Sequence, residues 1–254
     1  MAENAKIPRC YEKIPGQKRI KRVPSETFPE RSLKEVEDLA DAFTTTYFSS
    51  LGQDSINTPI PVEDIAEHYL GYAIDITDEG LFSDPNFLGG IDFEENKIFV
   101  NASVEDHDGR YAFTVAHEIG HHVLHKEAYM NEQTLGEKEI LCRDTNAKQQ
   151  IEIEADRFAA ALLMPSQIVI DTFKELGQKK KVSTIGQARG LANSLVKGTG
   201  LNNVSNTAMI NRLIDLKIIS SSIGYQSGQF KKSYRKPTII QIIRGSIFRL
   251  FRRF

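Results

Sequence analysis

Four of the chain's six histidines lie within nine residues, in the run Ala116-His117-Glu118-Ile119-Gly120-His121-His122-Val123-Leu124-His125. The core of that run, His117-Glu118-x-x-His121, constrains the fold more than any other feature. Residues i and i+4 share one face of a helix, one turn apart. On a rigid helix both imidazoles can therefore meet one zinc ion at about 2.0–2.1 Å. Ala112, Phe113, Val115, Ala116, Ile119 and Val123 supply the apolar scaffold that buries such a helix. Glu118 follows the first histidine on the same side, where a metalloprotease places its general base.

A catalytic zinc site takes three protein ligands and keeps a fourth position open. A third histidine in the metzincin spacing is excluded, because Leu124 and Glu127 hold the glycine and histidine positions. The alternative is a glutamate from the next helical segment, Gln149–Met164, which Pro165 stops. Two candidates exist, Glu152 and Glu154. Glu152 shares a face with Asp156 at i+4, which pairs a ligand carboxylate with one that can hold a histidine through its other N–H. Glu154 shares its face with Phe158 and Ala161. Helical phase therefore favours Glu152 as ligand and Asp156 as the orienting carboxylate. His122 lies one residue off the ligand face and is expected at the surface. His125 reads as a residue near the helix C-terminus, where the macrodipole favours it. As a fourth protein ligand it would close the site.

Composition narrows the remaining classes. Of 254 residues, 40% are apolar and 26% charged, near the averages of globular chains. No run approaches the roughly 18 uncharged apolar residues of a membrane span. The N-terminal segment shows no apolar h-region, so no secretory signal is expected. Two cysteines, Cys10 and Cys142, exclude a disulfide scaffold and a cysteine-based zinc finger and point to the reducing cytoplasm. The net charge of −2 hides an asymmetry. Residues 1–22 carry 7 Lys/Arg against 2 Asp/Glu, and residues 231–254 carry 8 Lys/Arg and no acid. The stretch between them has a net charge of −15. Basic ends of this kind fold onto the acidic body or reach an anionic partner.

The runs R-Y-A-F-T-V-A-H-E-I-G-H-H-V-L-H and E-I-E-A-D-R-F-A-A-A-L-L-M-P, with P-V-E-D-I-A-E, G-G-I-D and K-I-F-V-N-A upstream, resemble the ImmA/IrrE family of zinc metallopeptidases. The resemblance spans residues 60–165 and continues more weakly to 217. It implies an α+β fold: a mainly helical, thermolysin-like zincin core with a small antiparallel sheet beside the active-site helix, then a helical region. It also implies Zn2+ as cofactor, held by His117, His121 and Glu152, with Glu118 as the catalytic base. The implied activity is that of a cytoplasmic regulatory endopeptidase whose protein substrate is a transcriptional repressor.

The chain divides into a flexible basic arm (1–31), the zincin-like domain (32–165), a helix-turn-helix-like region (166–223) and a basic amphipathic C-terminal segment (224–254). Ser32 opens a capping box with Glu35. A helix over 61–70, a strand over 72–76 and a hairpin over 88–93 and 97–101 are predicted, with Glu94-Glu95-Asn96 at the turn. Gly89-Gly90 reads as a strand irregularity. An edge strand within 88–101 could pair with an extended substrate. Residues 126–148 read as a polar connection. The segment 239–254 is expected to be helical and docked on the acidic body or a second copy, with an anionic membrane surface as the alternative. Two other functions compete: a non-proteolytic zinc-containing sensor, which the presence of Glu118 disfavours, and a nucleic-acid-binding regulator. The second helix of the 183–217 pair offers few bases, mainly Arg212 and Lys217, so packing onto the protease domain is favoured over nucleic acid.

Overall fold

A computed structural model describes residues 30–83, 86–132, 141–144, 150–177 and 182–223. The basic arm up to residue 29 and the C-terminal segment from 224, including the helix predicted at 239–254, lie outside the described residues.

Helix α1 (Leu33–Ser50) starts at the predicted capping box. Ser32 Oγ accepts from the Glu35 amide, and the Ser32 amide donates back to Glu35 Oε2 at 2.7 Å. The predicted 61–70 helix forms as a short α-helix, α2 (Val62–Asp64), that widens into a π-turn over Ile65–Tyr69. Strand β1 (Ala73–Thr77) follows Gly71, whose φ of +76° suits the helix stop. Strands β2 (Phe87–Asp92) and β3 (Lys97–Asn101) form the predicted hairpin. Asp92 Oδ1 accepts from the Glu94 and Glu95 amides, and Asn96 takes a left-handed φ of +50° to close the turn.

The sheet is mixed and four-stranded, in the order β1-β3-β2-β4. Two expectations are corrected here. The sheet is not purely antiparallel: β1 pairs with β3 in parallel, Ile74 opposite Ile98. The chain reverses once before β2 and again at the hairpin, so β3 returns in the direction of β1 and docks inside it. Nor does 88–101 supply an edge strand, because β4 (Leu141–Asp144) covers β2 on its other side, with Gly90 opposite Cys142. The edges among the described residues are β1 and β4. Strand β4 comes from the polar 126–148 connection, which has no alternating pattern to announce it. The irregularity predicted at Gly89-Gly90 lies just before that pair, as a register shift between Phe87 and Gly89, while Gly89 and Gly90 themselves pair in regular register with Arg143 and Cys142.

Helix α3 (Asp108–Glu132) lies across β2 and β3, burying Val115, Ala116 and Ile119 against Ile91, Ile98 and Val100. Helix α4 (Gln150–Leu163) packs on α3. The contact is close because it is made by small residues. A Cβ on Gly120 would lie 3.2 Å from both Cα and the carbonyl oxygen of Ala155, and 3.3 Å from Phe158 Cβ. Gly120→Val is therefore expected to push α4 away and cost about 1–3 kcal/mol in urea unfolding. An unchanged midpoint would show that the two backbones need not approach so closely.

Helices α5 (Ser166–Glu175), α6 (Ile185–Thr199) and α7 (Asn206–Asp215) complete the described chain. Ser205 caps α7, accepting from the Ala208 amide at 3.1 Å. The apolar core runs without a break from α1 through α4 to α6 and α7. Arg212 is buried in it. Its Nε donates to the Met164 carbonyl at 2.9 Å, and its guanidinium forks onto Glu37 of α1, Nη2 to Oε2 at 2.9 Å. One of the two bases noted on the second helix of the pair is thus directed inward. No helix among the described residues is long and apolar enough to cross a membrane.

Candidate metal centre

The apolar face of α3 points at the sheet and α4, and that same face carries the histidines inward. His117, His121 and Glu118 are wholly buried, and Glu152 at the start of α4 is 7% exposed. His117 Nε2 and His121 Nε2 lie 3.1 Å apart. Each also lies 3.3 Å from one oxygen of Glu152, Oε2 for His117 and Oε1 for His121. The structure thus brings together the three residues that spacing and phase selected as ligands. On its far side His117 Nδ1 faces Asp156 Oδ1 at 3.1 Å.

These contacts decide the hydrogens. A carboxylate only accepts, so His117 Nδ1 carries the proton toward Asp156 and Nε2 presents a lone pair. That lone pair faces a second imidazole nitrogen and a carboxylate. Glu152 Oε2 is buried and, despite its nearness to His117, has no hydrogen-bonding geometry. Three electron-rich groups converging in a dry site repel one another unless a cation sits among them. The spacing suits one: ligand bonds of 2.0–2.1 Å in a tetrahedron set ligand atoms about 3.3–3.4 Å apart. The donor set of two imidazoles and a carboxylate therefore fits a metal of the zinc class. Burial raises the Glu152 carboxyl, and positive charge placed among the three groups, whether as protons on the His121 and His117 imidazoles or as a cation, lowers it; with the imidazoles protonated it is held down at about 2.

Glu118 turns toward the sheet. A Cβ on Gly89 of β2 would stand 2.9 Å from its Oε1 and 2.5 Å from Thr114 Cγ2. Only glycine lets β2 approach the helix so closely at this point. Gly89 is thus a close-approach position between strand and helix.

Two histidines differ from expectation. Helix α3 continues two turns past His125, to Glu132, so His125 is not near its C-terminus. It is fully buried, with Nδ1 3.0 Å from His121 Nδ1 and Nε2 3.4 Å from Glu154 Oε2. Burial pushes its imidazole down to about 4, so it is neutral at pH 7. His122 is half-buried rather than exposed. Its Nδ1 meets the Tyr72 hydroxyl at 2.8 Å, and Lys126 Nζ donates to the same oxygen at 3.2 Å. Burial and the nearby ammonium lower His122 to about 4. Tyr72 and Glu154 carry no local sequence signal of these roles, because their partners lie 50 and 29 residues away. Tyr129 packs edge-on against Phe93, and Tyr111 is half-buried against the core.

Sequence comparison adds a family to this geometry. No curated protein matches the chain. The sequence model described as the IrrE N-terminal-like domain of Peptidase_M78 matches residues 78–192, a stretch that holds β2, β3, α3, α4 and every residue of the centre. Over residues 78–192 the chain is thus similar to the IrrE N-terminal-like domain of Peptidase_M78.

Proposed function

We propose that the protein is a zinc-dependent endopeptidase that regulates transcription by cleaving a repressor protein in the cytoplasm. One observation carries the enzymatic part. His117 Nε2, His121 Nε2 and the Glu152 carboxylate converge at 3.1–3.3 Å, with Glu118 adjoining the first of them on the same helix. Zinc held there supplies Lewis-acid chemistry, acidifying a water and polarising a peptide carbonyl. Glu118 accepts the proton of the attacking water and passes it to the leaving amine. Asp156 holds His117 in the tautomer whose Nε2 lone pair faces the centre. The repressor substrate rests on the family resemblance, and the cytoplasmic setting on the sparse cysteines.

The substrate's backbone cannot pair with β2 while β4 occupies that side. An extended peptide would have to lie along one of the edge strands, β1 or β4, or take the place of β4. The test is cleavage of an extended peptide library and of candidate repressors by zinc-loaded protein, before and after chelation. Cleavage should stop on chelation and return with one equivalent of zinc. Chelator-insensitive cleavage, or no cleavage by the loaded protein, would overturn the reading.

A further inference from the structure

We propose that His125 and Glu154 are positioning residues for His121, forming a buried relay behind the metal centre that ends on Arg31. The inference rests on the metal-centre reading and extends it beyond the three ligands and Asp156.

The two nitrogens of an imidazole point to opposite sides of the ring. His121 turns Nε2 toward Glu152 and Nδ1 toward His125. His125 therefore stands behind His121, where it cannot serve as a fourth ligand. If Nε2 of His121 offers its lone pair to a cation, its Nδ1 carries the hydrogen and donates to His125 Nδ1 at 3.0 Å. His125 must then hold its own hydrogen on Nε2, which faces Glu154 Oε2 at 3.4 Å. Glu154, 2% exposed, can only accept there as a carboxylate. It also accepts from the Arg31 amide at 3.0 Å, the Arg31 guanidinium at 3.2 Å and Gln150 Nε2 at 3.1 Å. Every hydrogen assigned along the chain runs toward Glu154, and no two donors or two acceptors meet.

The two histidines are therefore held by different means. His117 donates directly to the Asp156 carboxylate. His121 donates to a neutral ring, and the negative charge lies one step further back. A histidine kept only for its bulk would not need both ring nitrogens engaged in this order. Glu154, set aside as a ligand on helical phase, gains a role on the other side of His121.

Zinc affinity, measured by chelator competition on the full chain, tests the relay. Outer partners of metal-bound histidines typically contribute 10–100-fold in affinity, so His125→Ala and Glu154→Leu should each weaken binding about that much. His125→Gln and Glu154→Gln should stay within about threefold of wild type. An amide oxygen can still accept from one neighbour, and in His125→Gln the amide nitrogen can also donate to Glu154. Circular dichroism of the zinc-free proteins monitors folding. Wild-type affinity in His125→Ala would overturn the relay, as would an equal loss in His125→Gln, which would mean that shape alone matters. Should His125→Ala fail to fold, the Glu154 pair decides by the same criterion. A wild-type protein that binds no zinc would instead overturn the metal-centre reading itself.

Discussion

Glu118→Gln is expected to keep fold and metal while losing hydrolysis by about 10²–10⁴-fold, the usual contribution of a general base. The substitution changes one oxygen to nitrogen and leaves the shape alone. That matters because the side chain is fully buried against β2, where even one added carbon on Gly89 would crowd Oε1. Glu118 is outside the convergent group formed by His117, His121 and Glu152, so metal content should not fall. The measurement is kcat on any cleaved substrate alongside zinc stoichiometry and thermal unfolding. Full activity in a folded, zinc-loaded variant would remove Glu118 from the chemistry.

Arg212→Met is expected to destabilise the protein by about 3 kcal/mol, a shift of more than a hundredfold in the folding equilibrium. Arg212 is 1% exposed, and its guanidinium serves both the Met164 carbonyl and the Glu37 carboxylate. Removing it strands a carboxylate whose side chain is only 19% exposed, beside Asp41, which burial and Glu37 already push upward. The partial exposure of Glu37 keeps the figure at the low end for a broken buried pair. Adding Glu37→Leu should return part of the loss, since removing both partners leaves no uncompensated charge. Urea unfolding of the single and double variants measures this. A loss under about 1 kcal/mol in the single variant would show that the pair behaves as a surface ion pair.

The helices were legible because their signals are local. A capping box, a 3.6-residue period and a proline stop placed α1 and α4 to within a residue or two. The same period placed His117, His121, Glu152 and Asp156 on facing surfaces, and the structure brings them together. What escaped was set by distant partners. Strand β4 has no periodicity of its own and exists by pairing with β2. The parallel pairing of β1 depends on where the hairpin docks, which its residues do not encode. His122 and His125 lie off the ligand pair, and only tertiary packing reveals Tyr72 and Glu154 beside them.

Two histidines and one of two neighbouring glutamates make up the proposed metal centre. Zinc titration of wild type, Glu152→Gln and Glu154→Gln tests it most directly. Wild type should bind one equivalent. Glu152→Gln should lose more than the 10–100-fold typical of an outer partner, while Glu154→Gln should stay close to wild type. Zinc affinity unchanged in Glu152→Gln, or lost in Glu154→Gln instead, would contradict the assignment.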